Sequence, residues 1–155
     1  VTVVSPDAGG IKRAEAFRQC LEAALGRPVG SAFVEKHRSS GVVSGAGFVG
    51  PVDGRVAIVV DDLIAGGTTV ARAARACRDR GAARVIAVAS HGVFAPAAPE
   101  VLAGPDVDRV LVTDSIPAQP MPAGPFAAKL QRFSIAPLVA AAIGRLHAGG
   151  YASVD

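Results

Sequence analysis

Tryptophan is absent from this 155-residue chain, tyrosine occurs once, and aromatic residues make up only 5% of it. Without large rings the core must come from small side chains, and the abundance of Ala and Val suits a parallel sheet covered by closely packed helices. Cysteine is scarce as well. Cys20 and Cys77 each lie in a helical pattern, with no metal-ligand spacing and no nearby cysteine partner, and both read as small buried hydrophobes. No apolar run reaches the length of a membrane span, and no basic start with an apolar signal core opens the chain. No membrane association is expected, and the reading is a soluble cytoplasmic protein. Charge of one sign is not concentrated either. The net charge of +3 is modest and the basic residues are scattered without interleaved aromatics, which argues against nucleic acid as a partner. Mild positive charge suits attraction of small phosphorylated substrates.

What the chain does contain is concentrated in residues 56 to 69, Val-Ala-Ile-Val-Val-Asp-Asp-Leu-Ile-Ala-Gly-Gly-Thr-Thr. An apolar strand runs through two adjacent carboxylates into a glycine-threonine loop that opens a helix. Unpaired backbone N–H groups and the positive end of the helix dipole favour a phosphate there, and the hydroxyls of Thr68 and Thr69 add donors. Gly66 and Gly67 permit its close approach. Asp61 and Asp62 cannot serve the same anion, so they face either sugar hydroxyls or a hard cation such as Mg²⁺ shared with substrate oxygens. A strand end with a helix cap accounts for any one of these residues, but not for their coincidence.

Around this run, apolar periodicity predicts strands over residues 1 to 4, 31 to 35, 55 to 60, 84 to 89 and 109 to 113, with an edge strand over 130 to 135. Helices are predicted over 11 to 25, 69 to 80, 96 to 103 and 137 to 147, the first with Ile11, Ala14, Phe17 and Leu21 on one stripe. Residues 36 to 47 read as a mobile loop or hairpin, and the Pro-rich stretch 118 to 125 as an irregular connection. This alternation makes the chain a single α/β domain over residues 1 to 155, a doubly wound and mainly parallel sheet flanked by helices. Ligand sites of such sheets lie at the carboxyl ends of strands, so Asp7, the Asp61 loop, His91 and Asp114 are expected along one edge. The opening on Val, already in strand pattern, points to a processed chain or a segment of a larger protein.

The remaining candidates each have two readings. Asp7 precedes two glycines and a helix whose first turn carries Lys12 and Arg13, and is either a metal ligand or a cap. Lys36 and Arg38 flank His37 in the predicted loop, and are either solvated or a cationic clamp on a reacting polyphosphate. His91 is structural or part of the site. Asp114 serves the site or the turn before Pro117, and His147 sits near a helix C-terminus.

Taken together, these segments resemble the C-terminal half of the ribose-phosphate pyrophosphokinase family, the phosphoribosyl pyrophosphate synthetases, whose fold is of the phosphoribosyltransferase type. The resemblance rests on Ser5-Pro6-Asp7-Ala8-Gly9-Gly10, Glu35-Lys36-His37-Arg38, the acid pair and its loop, Ser90-His91-Gly92-Val93, Thr113-Asp114-Ser115-Ile116-Pro117 and Ser134-Ile135-Ala136-Pro137-Leu138, in this order. It implies transfer of diphosphate from ATP to ribose 5-phosphate, with AMP as the other product. By resemblance, Asp61 and Asp62 hold the ribose hydroxyls, Ala65, Gly66, Gly67, Thr68 and Thr69 hold the 5-phosphate, and Asp7 binds Mg²⁺. Lys36 and Arg38 stabilise the transferring group. The family's assemblies suggest a homo-oligomer.

The chain departs from the family in two places. Its loop reads Ala65-Gly66-Gly67-Thr68-Thr69, where the family usually has Asp-Thr-Gly-Gly-Thr, so a carboxylate is missing or the loop is one residue shorter. The family also places a similar domain ahead of this one, which helps bind the nucleotide. A non-catalytic regulatory or assembly relative that keeps the sugar-phosphate site is therefore an alternative, as is a phosphoribosyltransferase.

Overall fold

The computed structural model describes residues 1–35, 47–118, 120–121 and 123–149. Lys36, His37 and Arg38, with most of the predicted loop, lie outside the described residues.

Strand β1 (Thr2–Ser5) leads through a 3₁₀ turn (Ala8–Gly10) into helix α1 (Ile11–Leu25). Gly26 ends α1 at φ 61°, the left-handed conformation glycine adopts without steric cost, and donates its N–H to the Glu22 carbonyl. Then follow β2 (Gly30–Glu35), β3 (Gly47–Val49), β4 (Val56–Ile64), α2 (Thr68–Asp79) and β5 (Arg84–Gly92). The chain closes with α3 (Ala98–Ala103), β6 (Arg109–Thr113), α4 (Pro125–Lys129), β7 (Leu130–Phe133) and α5 (Ala136–His147).

The seven strands form one sheet in the order β3-β2-β1-β4-β5-β6-β7. All neighbours are parallel except β2 and β3, which pair antiparallel through Val34↔Phe48. Two apolar clusters lie on opposite faces. Val3, Ala14, Val29 and Val60 pack with Phe17 and Leu21 beneath α1, while Val59, Ala87, Val110, Ala73, Cys77 and Leu102 join the other face to α2 and α3. The doubly wound, mainly parallel arrangement expected from the sequence is present. Small residues make it close: Ala73 and Ala74 of α2 sit over Ala57 and Ala87, all fully buried. Burial pushes the Cys77 thiol up to about 12, which makes it an inert packing group.

Several expectations need correction. Cys20 is exposed rather than buried, and Ile11 is 42% exposed, so neither belongs to the core. β4 does not stop at Val60 but continues through the acid pair to Ile64, because β5 extends equally far and pairs Leu63 with His91. β3, which follows the residues 36 to 47 expected as a loop or hairpin and takes in Gly47, is a strand whose Phe48 is buried beneath the Arg80 guanidinium, 5.0 Å from the ring centre.

Candidate functional site at the carboxyl ends of β1 and β4

β1 and β4 are adjacent and parallel, so the turn after β1 and the loop after β4 emerge side by side. Asp61, on the last part of β4, lines a cavity of about 200 Å³ with Leu63, Ile64 and residues 65 to 70. The cavity floor is the turn into α2. Gly67 caps that helix at φ 78°, and an added Cβ would meet the Leu102 side chain at 2.9 Å. Gly67 is thus dictated by backbone conformation and by packing. Gly66 differs, since a Cβ there meets nothing within 4 Å. No side chain caps the α2 N-terminus and no acid occupies its first turn, so its leading N–H groups remain available to an anion.

A second loop braces the first. After β5 the N–H groups of Val93 and Phe94 donate to the Ile64 carbonyl at 3.1 and 3.0 Å, and Ala95 donates to Ala65 at 3.0 Å. Phe94 holds φ 47°, the sole non-glycine with positive φ among the described residues, and stacks edge-on against Phe126 with ring centres 5.2 Å apart. A bulky residue in this region signals local strain retained by surrounding structure.

The acid pair is held by a residue to which sequence reasoning gave no role. Arg13, in the first turn of α1, donates from Nη1 to Asp61 Oδ1 at 2.9 Å and from Nη2 to Asp62 Oδ2 at 2.8 Å. The only signal in the sequence was a cation in the helix after a neighbouring strand. Burial raises the Asp61 carboxyl above its ordinary range, reinforced by the adjacent Asp62 carboxylate and opposed by the Asp62 N–H and by Arg13. Asp62 ends below that range. Burial opposes its ionisation, but its hydrogen bond with Asp61 and the Arg13 charge prevail. Of the two carboxyls, Asp61 is therefore the one that takes up a proton more readily as pH falls. Asp62 is exposed and does not line the cavity.

Asp7 stands beside this pair at the end of β1. Its Oδ1 accepts the Gly10 N–H at 3.1 Å, so the capping reading describes its local role. Among the described residues no group of three or more His, Cys, Asp or Glu gathers as a metal cluster. His91, inside β5 rather than after it, places Nδ1 2.8 Å from Ser115 Oγ, within a network in which the Thr113 hydroxyl donates to the Ser90 carbonyl at 2.6 Å. Asp114 accepts the Ile135 N–H at 2.9 Å and so ties β6 to the start of α5. Both are structural pins in this geometry. His147 occupies the last turn of α5.

Residues 45–154 match the phosphoribosyl synthetase-associated domain. The chain belongs to that family. Two ribose-phosphate pyrophosphokinases, from Parasynechococcus marenigrum (strain WH8102) and Prochlorococcus marinus (strain MIT 9313), are 41% and 43% identical over 150 residues. Those matches cover 95% of this chain but 43% and 42% of the relatives, so the chain spans less than half the length of either. The crystal structure of phosphoribosylpyrophosphate synthetase from Mycobacterium smegmatis superposes with a TM-score of 0.77 at 36% identity, over 96% of this chain and 45% of that one. The resemblance drawn from the motifs is borne out, and the phosphoribosyl synthetase-associated domain here has the phosphoribosyltransferase-type fold of that enzyme. None of its helices, among the described residues, is long and apolar enough to cross a membrane.

Proposed function

We propose that this domain is the ribose 5-phosphate-binding and catalytic part of a ribose-phosphate diphosphokinase, which moves diphosphate from ATP to the sugar's anomeric hydroxyl and leaves AMP. The observation that carries the reading is the single cavity in which the loop 65–69, an open α2 N-terminus and the Asp61 carboxyl converge. Backbone N–H groups of that loop with the hydroxyls of Thr68 and Thr69 bind the 5-phosphate. Asp61 and Asp62 accept hydrogen bonds from the ribose hydroxyls, which fixes the anomeric oxygen for in-line attack. Asp7 holds Mg²⁺, whose charge offsets that of the polyphosphate when bound. Lys36 and Arg38 stabilise the charge developing on the transferring group. The protein works in the cytoplasm as one domain of a homo-oligomeric enzyme.

Titration calorimetry with ribose 5-phosphate tests the site, and AMP release from ATP, Mg²⁺ and the sugar phosphate tests turnover. Absence of sugar-phosphate binding removes the reading altogether. Sugar-phosphate binding without AMP release from the intact full-length protein selects a non-catalytic relative of the synthetase, a reading favoured by the altered loop Ala65-Gly66-Gly67-Thr68-Thr69 and by the Arg13 clamp on both carboxylates.

A further inference from the structure

Helix α3 is too short to hold itself in place. Its 6 residues fall far below the roughly 12 at which an isolated helix is even marginal in water. The carbonyls of its last turn, most of those it has, lack a partner within the helix, and its sequence Ala98-Pro99-Glu100-Val101-Leu102-Ala103 brings no base to meet them. Lys129 supplies one from another helix. Its Nζ donates to the Ala103 carbonyl at 2.8 Å and to the Gly104 carbonyl at 2.6 Å. A cation on these carbonyls combines charge-assisted hydrogen bonds with the favourable end of the helix dipole. The lysine is itself well anchored, since it closes α4 and the next residue, Leu130, pairs with Val110 of β6.

The helix held in this way bears on the loop after β4. Leu102 is fully buried, and its Cγ lies 2.9 Å from where a Cβ of Gly67 would stand, so its branched end fills the space against the residue that caps α2. α4 supports the same loop by a second route, because its Phe126 meets the ring of Phe94, whose N–H donates to the Ile64 carbonyl. Of the two routes only the one through Lys129 rests on a charge. We propose that Lys129 is a positioning residue for sugar-phosphate binding, which keeps Leu102 against Gly67 by fixing the C-terminus of α3. It does not line the cavity and acts through Leu102. If α3 is free to retreat, Gly67 and the leading N–H groups of α2 must be ordered again when an anion binds, and that ordering weakens affinity. The inference rests on the reading of this cavity as a ribose 5-phosphate site.

Amide resonances and calorimetry test it. Lys129→Met keeps the aliphatic stem and removes the charge. With no ligand present, the amide resonances of Gly67, Thr68 and Thr69 should shift in this variant, and its ribose 5-phosphate affinity should fall about tenfold. Lys129→Arg, whose fork can serve both carbonyls, should return the resonances and bring affinity to within about threefold of the parent. Should the Met variant not fold, Lys129→Gln, which keeps a neutral donor, is compared in the same way. Arg78→Met is the control, because Arg78 likewise holds main-chain carbonyls, those of Ala82, Ala83 and Asp106, at the far end of α2. It should lower the unfolding midpoint and leave sugar-phosphate affinity within about threefold. Unmoved resonances at residues 67 to 69 would overturn the proposal. So would an equal loss of affinity in Arg78→Met, or a failure of Lys129→Arg to restore binding. A parent protein that binds no ribose 5-phosphate overturns the functional reading and with it the role in affinity, while the resonances, which need no ligand, still decide whether Lys129 positions the loop.

Discussion

Arg13 Nη1 lies 2.9 Å from Asp61 Oδ1 across 48 residues of sequence, and the same guanidinium reaches Asp62 with its other nitrogen. A planar fork that would ordinarily grip one carboxylate is divided between two, and this fixes their separation. Arg13→Ala should cost about 1 kcal/mol in urea unfolding near neutral pH, a value kept small because Arg13 and Asp62 are partly in solvent. It should also raise the Asp61 carboxyl further. A raised folded-state value makes ionisation unfavourable to folding, so stability is lost as pH rises from about 4 through the folded value, more steeply in the variant. Parallel pH-stability curves for the two proteins would contradict this.

The two loop glycines should separate binding from folding. Gly67→Ala combines left-handed strain with a clash on Leu102 and should lose about 2 to 4 kcal/mol in denaturant titration. Gly66→Ala meets open space, so its melting temperature should stay within a few degrees of the parent. In the proposed site Gly66 belongs to the loop that holds the phosphate, and an added methyl would stand in the open space of that loop. Ribose 5-phosphate affinity should therefore fall at least tenfold, roughly 1.4 kcal/mol, by calorimetry.

Asp114 predicts an acid-sensitive junction. The Ser134 hydroxyl and the Ile135 N–H hold its carboxyl below the ordinary carboxylate range. With the folded value depressed, the stabilisation is complete above about pH 4 and disappears as pH falls through the folded value. Amide exchange at residues 134 to 136 should accelerate over that acid range in the parent protein. Asp114→Asn should remove most of the pH dependence, and an unchanged exchange profile would count against the assignment.

Phe94 should link stability to the site. Phe94→Ala removes a buried ring from against Phe126 and should cost about 3 kcal/mol. Because Val93, Phe94 and Ala95 all donate to the carbonyls of Ile64 and Ala65, sugar-phosphate affinity should weaken too. Val93→Ala, at a partly exposed position that keeps the same backbone bonds, should leave that affinity within threefold, or about 0.7 kcal/mol.

Lys36 and Arg38 are predicted to act in turnover rather than in sugar binding. Replacing either with Ala should lower AMP release on the order of 100-fold, while calorimetry with ribose 5-phosphate stays near the parent value. Equal losses in both measurements would place them in substrate binding instead.

Local signals were read well from sequence and distant ones were not. The bounds of α1 and β6 agree with expectation to the residue, since Gly26 and the apolar run Val110–Val112 announce them. The glycine-threonine loop after β4 is legible because its residues lie within one short stretch. β4 and β5 run further than expected because their polar ends, Asp61-Asp62 and Ser90-His91, are kept in strand by pairing with each other. The Arg13 clamp, the brace from Phe94 and the Leu102 contact beneath Gly67 each join segments that meet only after the sheet has assembled. Cys20 misled because helical periodicity places a residue on a face without saying whether anything covers that face.

The pairing of β1 with β4, with Thr2 opposite Ala57, carries a kinetic consequence. The elements between them must be spanned before the centre of the sheet closes, and contacts of such long range slow folding. Until that closure Asp7, Arg13 and the acid pair are not neighbours. A chain emerging from synthesis has the acid pair without its Arg13 partner, and the proposed sugar-phosphate site can bind ligand only in molecules that have completed this step.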